Sequence, residues 1–245
     1  MSTDLKPREI SFSTKHKVPL VDYPVPDIDR DPVFARIFEE ARHYTMTGKE
    51  AMFALYEAVR YVCSRGIAGD FVECGIWRGG SALVAALTMR EIGDERRLHL
   101  YDTFEGMTRP TDKDVDYEGG RADDYMARYS DDGRWCYADE AEVQTLFQSR
   151  GFGDLVRIVK GDVADTLRTD LPESISILRL DTNWYESTKQ ELEVLYPLVS
   201  PGGVLIVDDY GHWEGSREAV DEYFVTRKRP LLMRINHTVR MAVVS

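Results

Sequence analysis

Two short runs of this chain, Ile175-Ser-Ile-Leu-Arg-Leu180 and Gly203-Val-Leu-Ile-Val207, are too apolar to show a face to water, and each runs straight into aspartate. Asp181 follows the first, and Asp208 and Asp209 follow the second. Strands of this kind are interior strands of a parallel sheet, which needs helices on both faces. Ligands of such sheets bind outside the carboxyl ends of the strands. Three carboxylates gathered there repel one another and lose solvation unless a cation lies between them. A hard divalent ion with oxygen ligands is the simple resolution. The other reading makes one or two of them N-caps of the helices that follow.

The rest of the chain alternates in the way such a sheet requires. Residues 1–30 carry Pro7, Pro19, Pro24 and Pro26 among polar residues and read as an arm. Residues 31–47 read as a helix with Val33, Phe34, Ile37 and Phe38 on one side, and 51–62 as an amphipathic helix. A strand over 69–75, a helix over 81–89 and a strand over 97–102 follow. Residues 103–139, rich in Asp, Gly and Tyr, are expected to lack regular structure, and loops of that length are often lids. Alternation resumes with a helix near 139–150, a strand near 155–160 and a helix near 163–169. After the strand ending at Asp181 come a helix at 187–197, the strand ending at Asp208 and a helix at 214–226. Strands over 231–235 and 239–244 close the chain around Asn236-His237-Thr238. The pattern implies an α/β fold, an open and mostly parallel sheet with helices on both faces and a terminal antiparallel hairpin. All 245 residues form a single domain on this reading, with an arm and helices over 1–66 and a lid insertion over 103–139.

Charge and composition exclude several functions. A net charge of -12, from 43 acidic against 31 basic residues, disfavours nucleic acid or an anionic membrane as partner. No run approaches the roughly 18–20 apolar residues that span a bilayer, and the N-terminus lacks the apolar core of a signal peptide. Cys63, Cys74 and Cys136 fit neither a metal-site spacing nor an even disulfide framework. These features point to a soluble, reduced, cytoplasmic protein.

Between the first strand and its helix lies Glu73-Cys74-Gly75-Ile-Trp-Arg-Gly79-Gly80-Ser81. Glycines there allow a sharp turn and close approach of a ligand, and the helix N-terminus offers free amides. The spacing is not that of the dinucleotide fingerprint. It resembles the looser glycine loop of S-adenosylmethionine enzymes; the alternative is a plain strand-to-helix turn. Asp102 ends the second strand, where a carboxylate can accept both ribose hydroxyls. Asp162 follows the third strand and is placed to meet an adenine amino group, and Glu73 to meet the cationic amino acid portion. Each alone reads equally as a cap or turn residue. Acids at four successive strand ends suit a cationic sulfonium cofactor.

With Phe71-Val-Glu-Cys-Gly-Ile-Trp-Arg-Gly-Gly-Ser81, Tyr101-Asp-Thr-Phe-Glu-Gly-Met107, Leu180-Asp-Thr-Asn-Trp-Tyr-Glu-Ser-Thr188 and Pro201-Gly-Gly-Val-Leu-Ile-Val-Asp-Asp-Tyr210 together, the chain resembles the macrocin-type O-methyltransferases over residues 31–228. That family includes the mycinamicin and novobiocin sugar O-methyltransferases. The resemblance implies a class I methyltransferase fold with a seven-stranded sheet, and S-adenosyl-L-methionine as methyl donor. It also implies Mg2+-dependent transfer to a hydroxyl, commonly on a sugar of a natural product, and a homo-oligomer built on a dimer. Carried over, the metal ligands fall on Asp181, Asp208 and Asp209. The cofactor contacts fall on the Glu73–Ser81 loop (with Cys74, Gly75 and Gly79), on Asp102, Thr103 and Phe104, and on Asp162. One position departs: many relatives carry an acid where this chain has Asn183.

A sugar hydroxyl is a poor nucleophile, so a divalent ion and a base are both needed. Asp181 is expected to serve as ligand and general base. His212 is a second candidate base, or else part of a plain lead into the next helix. His99, within a strand, reads as a core residue. Tyr125, Tyr129, Trp135 and Tyr137 are placed either to stack on an acceptor or to pack the lid, and Trp184-Tyr185 is open in the same way. Three other functions stay open: a metal-dependent transferase of phenolic or catechol acceptors, a nicotinamide-dependent sugar dehydrogenase, disfavoured by the missing fingerprint, and a non-catalytic metabolite-binding protein.

Overall fold

The structure, a computed structural model, describes residues 11–12, 19–20, 25, 27–129 and 134–245. The expected N-terminal arm therefore lies largely outside the described residues; Ser11–Phe12 and Pro19–Leu20 form a short antiparallel pair.

Seven strands build the sheet: β1 Asp70–Cys74, β2 Leu98–Asp102, β3 Val156–Lys160, β4 Ile175–Leu180, β5 Val199–Val207, β6 Met233–Arg234 and β7 Arg240–Val243. Their order is β3-β2-β1-β4-β5-β7-β6, with β1 to β5 parallel and β7 antiparallel to both its neighbours. Among the described residues, eight α-helices surround it: α1 Pro32–Ala41, α2 Lys49–Ser64, α3 Gly80–Ile92, α4 Ala122–Tyr129, α5 Glu140–Gln148, α6 Val163–Thr166, α7 Tyr185–Leu195 and α8 Glu214–Tyr223. This is the class I methyltransferase arrangement that the sequence led us to expect.

Side-chain alternation along each strand divides the core in two. Phe71, Leu100, Ile177 and Ile206 pack with α1, α2, α3 and α5 on one face. Val72, Tyr101, Leu178 and Leu205 pack with α6, α7 and α8 on the other. Wholly buried residues such as Leu83, Leu192 and Ile177 each contribute roughly 1.5–3 kcal/mol. The β6 strand is shorter than the sequence suggested, as suits a sheet edge. A second difference lies in residues 103–139, which contain α4. Asp123 and Asp124 in its first turn complement the helix dipole, and that polar composition masked the helix.

Register is what positions the site. Cys74 pairs with Tyr101 on one side and Leu180 on the other, and Leu180 pairs with Val207. The residues that follow, Gly75, Asp102, Asp181 and Asp208, therefore meet along one edge. Hydrogen bonding continues past the strands, since the Asp181 amide donates to the Cys74 carbonyl and the Asp208 amide to that of Leu180, each at 2.9 Å. Because β7 runs antiparallel with Arg240 opposite Val207, the Asn236–Thr238 turn is also brought to this edge.

Candidate active site

A cavity of about 580 Å³ opens at the carboxyl ends of β1 to β5, within the range of small-molecule sites. Gly75, Ser81, Asp102, Thr103, Asp162, Asp181, Asp208, Asp209 and His212 line it. It lies at the switch point of the sheet, where β2 and β4 leave β1 in opposite directions. Four non-glycine residues with left-handed backbone cluster around it: Trp77, Phe104, Cys136 and Asn183. Such conformations concentrate at functional sites.

At the end of β1, Gly75 has φ +81°, and a Cβ there would lie 2.1 Å from the Asp181 carbonyl oxygen. Only glycine lets the two strand ends approach so closely. Asp102 accepts the Trp77 amide on Oδ2 and the Phe104 amide on Oδ1, both at 2.8 Å. Burial pushes its carboxyl up while these amides pull it down. Asp162 caps α6, accepting the Ala164 amide at 2.9 Å. Thr103 donates its hydroxyl to the Gly106 carbonyl at 2.7 Å.

Four of the expected cofactor residues do not face the cavity. Glu73 is wholly buried on the α3 face, where its carboxylate accepts from Ser81 Oγ and Arg179 Nη1. Strand parity explains this: Glu73 shares a face with Phe71 and sits directly across from Arg179. Cys74 is buried on the opposite face, Gly79 is the left-handed N-cap of α3 against Phe147, and Phe104 is buried beside the cavity.

On the other side, Asp181, Asp208 and Asp209 each offer a carboxylate oxygen, all within 4.8 Å of one another. Burial pushes the Asp181 carboxyl well up; Arg179 draws it back, and Asp208 and Asp209 push it further up. Asp209 is pushed up to about 7, first by burial and then by Asp208. An all-oxygen anionic set that otherwise tends to hold protons fits a hard divalent ion.

Sequence reasoning missed Arg179. It is 1% exposed, and it donates from Nη1 to Asp181 Oδ2 at 2.6 Å and from Nη2 to Asp208 Oδ1 at 2.5 Å. Thr47 Oγ1 accepts from Nη2 at 2.9 Å. The available signal was an arginine inside a buried strand, two residues and therefore one face-repeat before Asp181. Asn183 meets the third carboxylate. Its amide, oriented so that donors meet acceptors, donates to Asp209 Oδ2 and accepts from Trp213 Nε1, each at 3.1 Å.

Aromatic side chains form a further part of the cavity wall. Tyr125, Trp135 and Trp213 line the cavity, and Tyr129 and Tyr137 do not. Trp184 is buried, edge-on to Trp213 at 4.9 Å, and donates to the Thr108 carbonyl at 2.9 Å. Segment 103–139 is fastened to the body by buried Asp114, which accepts the Tyr185 amide at the start of α7 at 2.8 Å. His212 also lines the cavity, half-buried, its ring edge-on to Trp213. His99 is buried far from this edge, with Nε2 2.9 Å from Asp70 Oδ2. Tyr185 and Lys189 have the spacing of a dehydrogenase Tyr-x-x-x-Lys pair, but the Tyr185 hydroxyl donates to Glu222 at 2.6 Å on α8, outside the cavity.

Fold and site together define a class I, S-adenosylmethionine-type methyltransferase. Solved structures agree: the O-methyltransferase NovP superposes with a TM-score of 0.71 at 31% identity, covering 82% of each chain. The chain belongs to the macrocin O-methyltransferase (TylF) family, whose profile matches residues 39–241. It is 35% identical over 198 residues to the 8-demethyl-8-(2,3-dimethoxy-alpha-L-rhamnosyl)-tetracenomycin-C 4'-O-methyltransferase of Streptomyces olivaceus, covering 80% of this chain and 73% of that one. It is 33% identical over 201 residues to the mycinamicin III 3''-O-methyltransferase of Micromonospora griseorubida, covering 77% of each. The protein is thus an O-methyltransferase. Among the described residues, no helix is long and apolar enough to cross a membrane.

Proposed function

We propose that the protein transfers a methyl group from S-adenosyl-L-methionine to a hydroxyl on the sugar of a small-molecule acceptor, with Mg2+ held by Asp181, Asp208 and Asp209. The observation that carries this reading is the carboxylate triad opening onto the same cavity as the Gly75 loop and the aromatic wall. The relatives named above for methylating rhamnosyl and mycinamicin hydroxyls support a sugar acceptor. The aromatic wall equally suits stacking on a phenolic acceptor, which is the second reading.

When bound, the ion would supply positive charge beside the acceptor hydroxyl and the sulfonium cofactor would supply the methyl group. Everything else falls to the chain. Gly75 and the α3 N-terminus form the cofactor cradle, and Asp102 fixes the two loops beside it. Tyr125, Trp135 and Trp213 exclude water and orient the acceptor, so that the hydroxyl lies in line with the methyl group. Asp181 was expected to ligate and to take the proton. Its Oδ2 is held by Arg179 and the residue would help to hold the ion, while His212, which lines the same cavity, would take the proton. Burial depresses the His212 imidazole below its ordinary 6.5, with His237 adding to that and Asp116 opposing it. The ring is therefore neutral near pH 7, as a base must be.

A panel of glycosylated and phenolic acceptors, assayed with EDTA and then with added Mg2+, tests the reading. Transfer to a glycoside that stops with chelator and returns with Mg2+ is expected; transfer indifferent to chelator would sink the metal role. His212→Gln should lower kcat about 100-fold and remove the acid limb of the pH profile. Wild-type kcat in that variant returns the proton to Asp181.

A further inference from the structure

The three carboxylates present six oxygens, and the protein has already taken three of them. Arg179 Nη1 holds Asp181 Oδ2 at 2.6 Å and Nη2 holds Asp208 Oδ1 at 2.5 Å. Asn183 holds Asp209 Oδ2 at 3.1 Å. Neither donor is free to move. Arg179 is buried and tied to Glu73 and to Thr47. Asn183 is fastened at its other end to Trp213 Nε1 and sits in a left-handed turn with φ +69°. Each carboxylate thus keeps one oxygen that neither donor holds.

We infer that Arg179 and Asn183 are positioning residues that restrict the triad to one oxygen per carboxylate and thereby select a small six-coordinate ion over Ca2+. Mg2+ and Mn2+ are satisfied by a few single-oxygen ligands plus water and substrate oxygens. Ca2+ takes six to eight oxygens and commonly grips a carboxylate through both. Here one oxygen of each carboxylate already accepts from a guanidinium or an amide, anchored on buried Glu73 and buried Trp213 respectively. The fork of Arg179 suits this task because it reaches two carboxylates at fixed separation, which a lysine cannot do. An aspartate at 183 would take the donor away from Asp209 and put a further carboxylate in its place. The inference rests on the reading of Asp181, Asp208 and Asp209 as a metal site, and the experiment below separates the two.

Mn2+ binding to the full metal-free chain is followed by electron paramagnetic resonance, with no cofactor or acceptor, and Ca2+ is titrated as competitor. In the wild type, half-displacement should need about a tenfold or greater excess of Ca2+ over Mn2+. In Asn183→Asp, an isosteric change tolerated at this φ, the excess should fall to about threefold or less. Stabilisation by S-adenosylhomocysteine confirms that the variant is folded. Arg179→Lys should shift the ratio the same way; if it fails to fold, the Asn183 variant decides alone. A wild type in which Ca2+ competes on equal terms overturns the inference, as does an unchanged ratio in Asn183→Asp. Those results leave the metal site standing, whereas no Mn2+ signal sensitive to Asp208→Ala removes site and inference together.

Discussion

The two halves of the sheet's carboxyl edge both carry acids, and they use them differently. At the ends of β1 to β3 the protein supplies donors to every acid, and of their buried oxygens only Glu73 Oε2 is left without one among the described residues. Asp102 takes two amides, Asp162 caps a helix, and Glu73 is shut in with Arg179 and Ser81. At the ends of β4 and β5 one side-chain amide and the guanidinium that also holds Glu73 stand against three carboxylates, and one oxygen of each is held by neither. A run of acids at strand ends is therefore no measure of a metal site. What marks one is the charge left over after the protein's own donors are counted. The acids at the ends of β1 to β3 instead shape loops: the two amides on Asp102 belong to Trp77 and Phe104, both in left-handed backbone.

The sharpest way to break this contrast is Asp208→Ala. Methyl transfer should fall at least about 1000-fold, or roughly 4 kcal/mol of transition-state stabilisation, while S-adenosylhomocysteine affinity changes by less than about twofold. Loss of both would mean that the halves act as one unit. The seam between them offers the next test. Glu191 of α7 is wholly buried, with Oε1 accepting from Thr182 at 2.9 Å and the buried Cys74 thiol also against its carboxylate. Burial pushes its carboxyl up to about 8, against the Thr182 hydrogen bond. Since the folded state binds this proton more tightly than the unfolded one, the stability it confers is full below the ordinary carboxylate range. That stability is lost as pH rises towards about 8. Glu191→Gln mimics the protonated form. It should change unfolding free energy by under about 1 kcal/mol at pH 5 and raise it by of order 2 kcal/mol at pH 8.5. Equal pH slopes for the two proteins in chemical denaturation would place the Glu191 carboxylate in water.

The fold was legible because alternation and apolar strands leave little choice of architecture, and the triad was legible because each aspartate ends such a strand. What escaped depended on parity and register. Glu73 sits one residue from a strand end, yet strand alternation turns it to the α3 face, so its distance from the edge misled. Arg179 escaped because a charge in a buried strand has meaning only when the strand beside it is known. Helix α4 was hidden by polar composition, since Ala122 is its only buried residue. His212 was a candidate from sequence, but the tether that holds its backbone, the His212 carbonyl accepting the Tyr117 amide from segment 103–139 at 2.9 Å, is encoded by no local pattern.

Two smaller effects sharpen the contrast from the cofactor and acceptor ends. Asp102→Asn leaves one acceptor oxygen where two amides need satisfying. It should weaken S-adenosylhomocysteine about tenfold, near 1.4 kcal/mol, in calorimetric titration. Mn2+ affinity should not move; a parallel loss there would join the halves.

The smallest effect belongs to Tyr125→Phe. The Tyr125 hydroxyl donates to buried Asp116, which also accepts the Glu118 and Gly120 amides, both at 2.8 Å. Removing it keeps the ring that lines the cavity but frees its tilt, and it leaves a nearly buried carboxylate oxygen short of a donor, a loss of about 1 kcal/mol. Since the ring packs on Trp135 and Trp213 in the aromatic wall, the change should appear as a rise in acceptor KM of about threefold to fivefold with kcat held. A fall in kcat with KM unchanged would instead connect Asp116 to proton transfer through His212, whose imidazole it helps to keep basic.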